Sequence, residues 1–117
     1  MERFRFDAEV AYAPPEPALE RVTVAPLTAP LRKGVPVQAA VFRIGANGKI
    51  ARHPATVPQI LAVLDGAGEV SGGDGAFQPI AAGDAVFWSE GEEHETRSSG
   101  GLTALIIEGP RLRPFVR

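Results

Sequence analysis

The chain contains no cysteine. That absence excludes disulfides, thiolate metal ligands and a cysteine nucleophile together. Long apolar runs are missing as well, and none approaches the roughly 20 residues needed to cross a bilayer. The opening stretch MERFRFDAEV is charged from its second residue and has no apolar segment of the signal-peptide kind. A soluble cytoplasmic protein with no membrane partner is therefore expected. No basic stripe exists either: 12 Lys and Arg stand against 14 Asp and Glu, for a net charge of −2. Nothing in that balance would neutralise a phosphate backbone, so no nucleic-acid partner is expected. Ser89 lacks the strained Gly-x-Ser-x-Gly elbow of serine hydrolases. The pairs Gly72-Gly73 and Gly100-Gly101 are too short to cradle phosphates and read as turns.

At 117 residues, 44% of them hydrophobic, the chain has room for one domain with one core. Thirteen glycines and eleven prolines leave little space for helices. RFRF alternates charge with aromatic, as a half-buried strand does. Pro14, Pro15 and Pro17 make the next segment an extended connection. RVTVAPL reads as a short strand stopped by Pro26. VQAAVFRIG reads as a longer one followed by the Asn47-Gly48 turn. PQILAVLDG, DAVFWSE and LTALIIEG read as further strands, with SGGDG as a turn. Short strands separated by Gly, Pro, Asn and Asp indicate an all-β sandwich or barrel. Glu90, Glu92, Glu93 and Glu95 form the densest charge cluster and read as a solvated rim.

Two motif-like stretches lie within that pattern. His53, Ala55, Gln59 and Gly66 stand at the intervals of the first motif of the cupins, with Asn47-Gly48 where its leading glycine belongs. Gly83, Ser89, Gly91, His94 and Ser98 follow the second motif, and sixteen residues separate Gly66 from Gly83. From about Phe42 to Glu108 the chain resembles a cupin. The resemblance implies a double-stranded β-helix, or jelly-roll barrel, of two antiparallel sheets. It divides the chain into an N-terminal strand and Pro-rich connection (1–35), a core barrel (36–109) and a C-terminal tail (110–117). RFRF alternates to give one apolar strand face, and a terminal strand leaves an edge that needs covering, so a homodimer built through this segment is expected.

In metal-binding cupins the ligands would fall here on His53, Ala55, Gln59 and His94. Ala55 has no donor atom, and Gln59 offers a neutral oxygen where a carboxylate would balance a dication. The reduced metal set is then His53, Gln59 and His94, for Fe, Mn, Ni or Zn. Alternation along a strand puts Thr96 and Ser98 on the face of His94, and Leu61 and Val63 on that of Gln59. A ligand pocket of His53, Gln59, Leu61, His94 and Thr96 follows. Of the neighbours Phe87 and Trp88 only one can face inward, Trp88 more often packing than stacking on a ligand. Arg43 is expected outward. The reading is a small-molecule-binding barrel with no catalytic residue identified. A metal-dependent dioxygenase or isomerase, and a non-catalytic structural or sensory barrel, are the alternatives.

Overall fold

A computed structural model describes residues 1–115; Val116 and Arg117, the end of the expected tail, lie outside the described residues. Eight strands make up the fold: β1 (Glu2–Arg5), β2 (Gln38–Ile44), β3 (Gly48–Pro54), β4 (Gln59–Ser71), β5 (Gln78–Ala81), β6 (Asp84–Trp88), β7 (Glu93–Ser98) and β8 (Leu102–Glu108). Every pairing between them is antiparallel. The described residues contain no helix, and so none long and apolar enough to cross a membrane.

Strand β4 organises the rest. Its first half, from Gln59, pairs with β6 on one side and β8 on the other. Its second half pairs with β5 and β7. The first sheet runs β1-β6-β4-β8-β2 and the second β5-β4-β7-β3. The strand changes sheets at a register shift between Val63 and Asp65, just before Gly66. A bulge bends a strand and increases its local twist, which is what turning a barrel corner requires.

Inward residues of both sheets form the main core: Leu61, Val63, Val70, Ile80, Val86, Trp88, Leu102, Ala104 and Ile106 are buried together. Leu61 and Val63 share a face, as do His94, Thr96 and Ser98, all three buried on β7. Trp88 belongs to this inner cluster and Phe87 to the opposite face. Arg43 is exposed and paired with Thr103.

The N-terminal region differs from expectation in two ways. RVTVAPL is not a strand. Val24 makes one isolated bridge, to Tyr12, and Thr28, just beyond the segment, another to Pro114. Pro26 removes an N–H from the ladder and Pro30 follows four residues later, so extended pairing cannot propagate. This segment covers the outer face of the first sheet, where Phe4, Phe6 and Leu27 pack on Ile60, Ala62, Ala85 and Leu112. RFRF is a strand, but it pairs with β6 of its own chain, Phe4 opposite Ala85.

Gly66 has φ +81, and a Cβ there would collide with the Gly101 carbonyl. Gly75 has φ +74 with open space around it. Gly66→Ala should therefore cost about 2–5 kcal/mol, the sum of left-handed strain and overpacking. Gly75→Ala should cost only the strain, about 1–2 kcal/mol. Urea unfolding of both variants checks this; equal losses would show that the β4 corner is not a tight contact.

Candidate functional site

The site lies between the ends of the two sheets. From the first sheet comes a transverse row, because Gln59 is in register with Trp88 on β6 and with Glu108 on β8. From the second sheet comes the pair His53 and His94, directly opposite each other on β3 and β7. Ile50 on β3 faces Thr96, so three residues of β3 span what two residues of β7 span. That extra residue brings Ile50 and His53 onto one face although they differ in strand parity. Together these groups line a cavity of about 210 Å³ with Phe42, Leu61 and Ile106. All five sequence-derived pocket residues, His53, Gln59, Leu61, His94 and Thr96, are among its walls. Val63 is not, and fills the core below.

The imidazoles are held in one tautomer each. His53 Nδ1 lies 2.7 Å from the Ala51 carbonyl oxygen, and His94 Nδ1 lies 3.1 Å from that of Glu92. A carbonyl only accepts, so both Nδ1 atoms carry a proton, and in the neutral ring Nε2 then keeps the lone pair. The rings contact each other, tilted by 53° with centroids 4.4 Å apart. On its other side His94 stacks on Trp88, also at 4.4 Å and 29° between planes. The Trp88 indole N–H donates to the Ser71 carbonyl at 3.2 Å, which fixes the ring behind the histidine.

Burial is the largest influence on His94 and lowers its pKa below the usual 6.5. The hydrogen bond to the Glu92 carbonyl opposes that, the nearby His53 reinforces it, and the charges of Glu92 and Glu93 oppose it. The ring is therefore held toward its neutral form.

Glu108 was not anticipated. Gln59 Nε2 donates to its Oε2 at 3.1 Å, and the carboxylate lines the cavity. The signal was present in LTALIIE, where alternation from Leu102 through Ala104 and Ile106 puts Glu108 on the inner face. Glu92 also departs from the solvated-rim expectation. Its carboxylate accepts from the Met1 ammonium at 2.8 Å, from Gly73 N–H at 3.0 Å and from Ser89 N–H at 3.1 Å. Burial would raise its pKa, but these hydrogen bonds outweigh it and the group lies below 4.5. Its backbone carbonyl accepts from both His94 and Ala55. Glu92 thus braces the turn that carries His94. Glu90 and Glu93 are exposed, as a rim would be.

A divalent metal would have two imidazole nitrogens and the Gln59 amide oxygen to bind. Ala55 is buried at 2% exposure and contributes only backbone bonds to Gly91 and Glu92. Among the described residues no three of His, Cys, Asp and Glu stand together as a metal-holding group. The donor set does not fit a charge-balanced divalent site, because the one carboxylate of the cavity is engaged with Gln59.

A family model described as the cupin domain matches residues 40–108, more than half of the chain. The chain belongs to the cupin domain family. Comparison with curated proteins gave no match. Among solved structures the cupin is similar to an RmlC-like cupin from Shewanella frigidimarina, with TM-score 0.60 and 20% identity over 63% of this chain and 66% of that one. It is also similar to a predicted oxalate decarboxylase from Thermotoga maritima (TM-score 0.58, 25% identity, 62% and 64% covered). A third is a conserved double-stranded β-helix protein from Klebsiella pneumoniae (TM-score 0.59, 20% identity, 74% and 80% covered). The cupin thus spans about two thirds of the first two relatives' length. These likenesses confirm the jelly-roll barrel.

The two shifted groups act in the same direction on stability. Both bind protons less readily folded than unfolded, so their contribution is complete above the unfolded values and lost as pH falls. Thermal stability should decline first below about 6.5, as unfolded His94 charges, and again below about 4.5, as Glu92 protonates. His94→Gln should flatten the upper step. Calorimetry from pH 8 to 4 checks both, and stability rising between pH 7 and 5.5 would contradict the burial of a neutral His94.

Proposed function

We propose that this cupin binds a small organic molecule in the cavity formed by His53, Gln59, Leu61, His94, Thr96 and Glu108, without a resident metal. The carrying observation is the Gln59–Glu108 hydrogen bond at 3.1 Å. It occupies the carboxylate that a dication would need and leaves a cavity of apolar walls with a few oriented polar groups. That is the usual make-up of a small-molecule site. Tag-free protein should contain no stoichiometric metal, and a chelator should leave its melting temperature unchanged. Fragments that enter the cavity should alter the fluorescence of Trp88, the only tryptophan, with saturation. One firmly held metal per chain, with stability lost on chelation, would contradict the reading.

A metal-dependent oxygenase or isomerase is the second reading, with His53, His94 and Gln59 toward Fe, Mn, Ni or Zn. Both Nδ1 protons being tied to carbonyls favours it, since metal-binding histidines are oriented in that way. Gln59→Glu separates the two readings. In a metal-free pocket the new carboxylate would face Glu108, and like charges in contact disfavour ionisation of both. The variant should lose roughly 1–2 kcal/mol at pH 7, recover much of it near pH 5, and gain little from zinc. A variant as stable as wild type, with zinc affinity raised fivefold or more, would support the metal reading.

The reading also includes a cytoplasmic homodimer. Strand β1 pairs on one side only, with β6, and such an edge is a ready place for a second chain. Light scattering at tens of micromolar should give twice the 12.3 kDa of one chain; a monomer would contradict it.

A further inference from the structure

We propose that the ligand is a small organic cation, a primary ammonium on a short apolar body; this rests on the small-molecule reading above. The polar lining of the cavity is made mostly of acceptors. The Nδ1–H tautomers leave His53 and His94 with unshared Nε2 lone pairs, and no protein hydrogen bond is made at either Nε2 among the described residues. His94 is only 3% exposed, so its lone pair has little access to bulk water other than through the cavity. Gln59 gives one amide N–H to Glu108 and keeps its carbonyl oxygen and a second N–H. Glu108 adds a carboxylate. Besides that N–H, the Thr96 hydroxyl could donate as well as accept.

Among the described residues no Lys or Arg lines this cavity. Arg52, next to His53 in sequence, donates instead to Ser71 Oγ at 3.5 Å and the Gly72 carbonyl at 3.1 Å. Arg43 is exposed on β2, away from the cavity lining. An anionic ligand would place its oxygens against lone pairs and a carboxylate, with no cation to compensate. An ammonium has three donors and a positive charge, and each would find a counterpart. Glu93, beside His94, adds negative charge to the surroundings, whereas the Glu92 carboxylate is paired with the Met1 ammonium.

The remaining walls define the body of the ligand. Phe42, Ile50, Leu61, Trp88 and Ile106 are apolar, and aromatic faces attract ammonium groups. At about 210 Å³ the cavity is smaller than the roughly 300–1,000 Å³ of sites for drug-sized molecules. A branched alkyl chain of a few carbons is the appropriate size.

The test is a titration of chelator-treated, ¹⁵N-labelled protein at pH 7.5 with isobutylammonium, isobutyrate and isobutyramide, which share similar apolar bodies, and separately with zinc chloride. The reporter is the Trp88 indole N–H resonance. Isobutylammonium should bind at least tenfold more tightly than either of the others. Glu108→Gln should remove about tenfold of that affinity and narrow the preference for the ammonium over isobutyramide, a charge-assisted contact being about twice as strong as a neutral one. The ranking of the three probes on wild-type protein stands even if the variant fails to fold. Isobutyrate or isobutyramide binding as well as the ammonium would overturn the charge class while leaving the pocket reading intact. No saturable shift from any organic probe would overturn both. Stoichiometric zinc binding that displaces the ammonium would overturn the proposal in favour of the metal reading.

Discussion

A single strand shared by two sheets is the constraint on which this structure depends. β4 can serve both because it bends where Gly66 and Gly68 remove the side chains that would strike Gly101 and Arg97. The bend brings the start of β4, with Gln59, beneath one sheet and its end, with Val70 and Ser71, into the other. Trp88 from the first sheet is then fastened to the Ser71 carbonyl of the second, and His94 stacks on Trp88. Disturbing the corner would move the two sides of the cavity apart. The site is therefore a consequence of the barrel's closure.

Within that frame, polar groups are arranged so that almost every donor is consumed before the cavity is reached. The imidazole protons are held by the carbonyls of Ala51 and Glu92, and one Gln59 amide N–H by Glu108. The carboxylate of Glu92 holds the turn beside His94. What faces the cavity is chiefly lone pairs and hydrocarbon. With the rings 4.4 Å apart, a charge on His94 is disfavoured by its own burial and also by the neighbouring imidazole. The same groups that resemble a cupin metal site thus form a different chemical surface once Ala55 and Gln59 replace the expected ligands.

Much of this was legible in the sequence. Alternation gave the faces of β7 and β4 correctly, because both strands have one side in the core and a period of two leaves no freedom. Motif spacing located His53, Gln59 and His94, since strand lengths and turns fix which ends of a barrel meet. RVTVAPL failed because strand composition without a neighbour to pair with yields only bridges, and its prolines break the ladder. Glu108 was missed as a site residue although alternation along β8 puts it on the inner face. Its partner depends on the register of β4 against β8, a pairing across 49 residues that no local pattern announces. Glu92 was read from its charged neighbours, although its hydrogen bonds come from Met1, Gly73 and Ser89, segments far apart in the chain or folded back by a turn.

The central claim is that both histidines present bare Nε2 atoms to the cavity, beside the acceptors of Gln59 and Glu108. Long-range ¹H–¹⁵N correlation of the two side chains measures it directly, because protonated and unprotonated ring nitrogens resonate far apart. Uniformly labelled, chelator-treated protein at pH 7.5 should show His53 and His94 as neutral rings with the proton on Nδ1 and a lone pair on Nε2. Protonation at Nε2 of either ring, or a charged His94, would contradict the account.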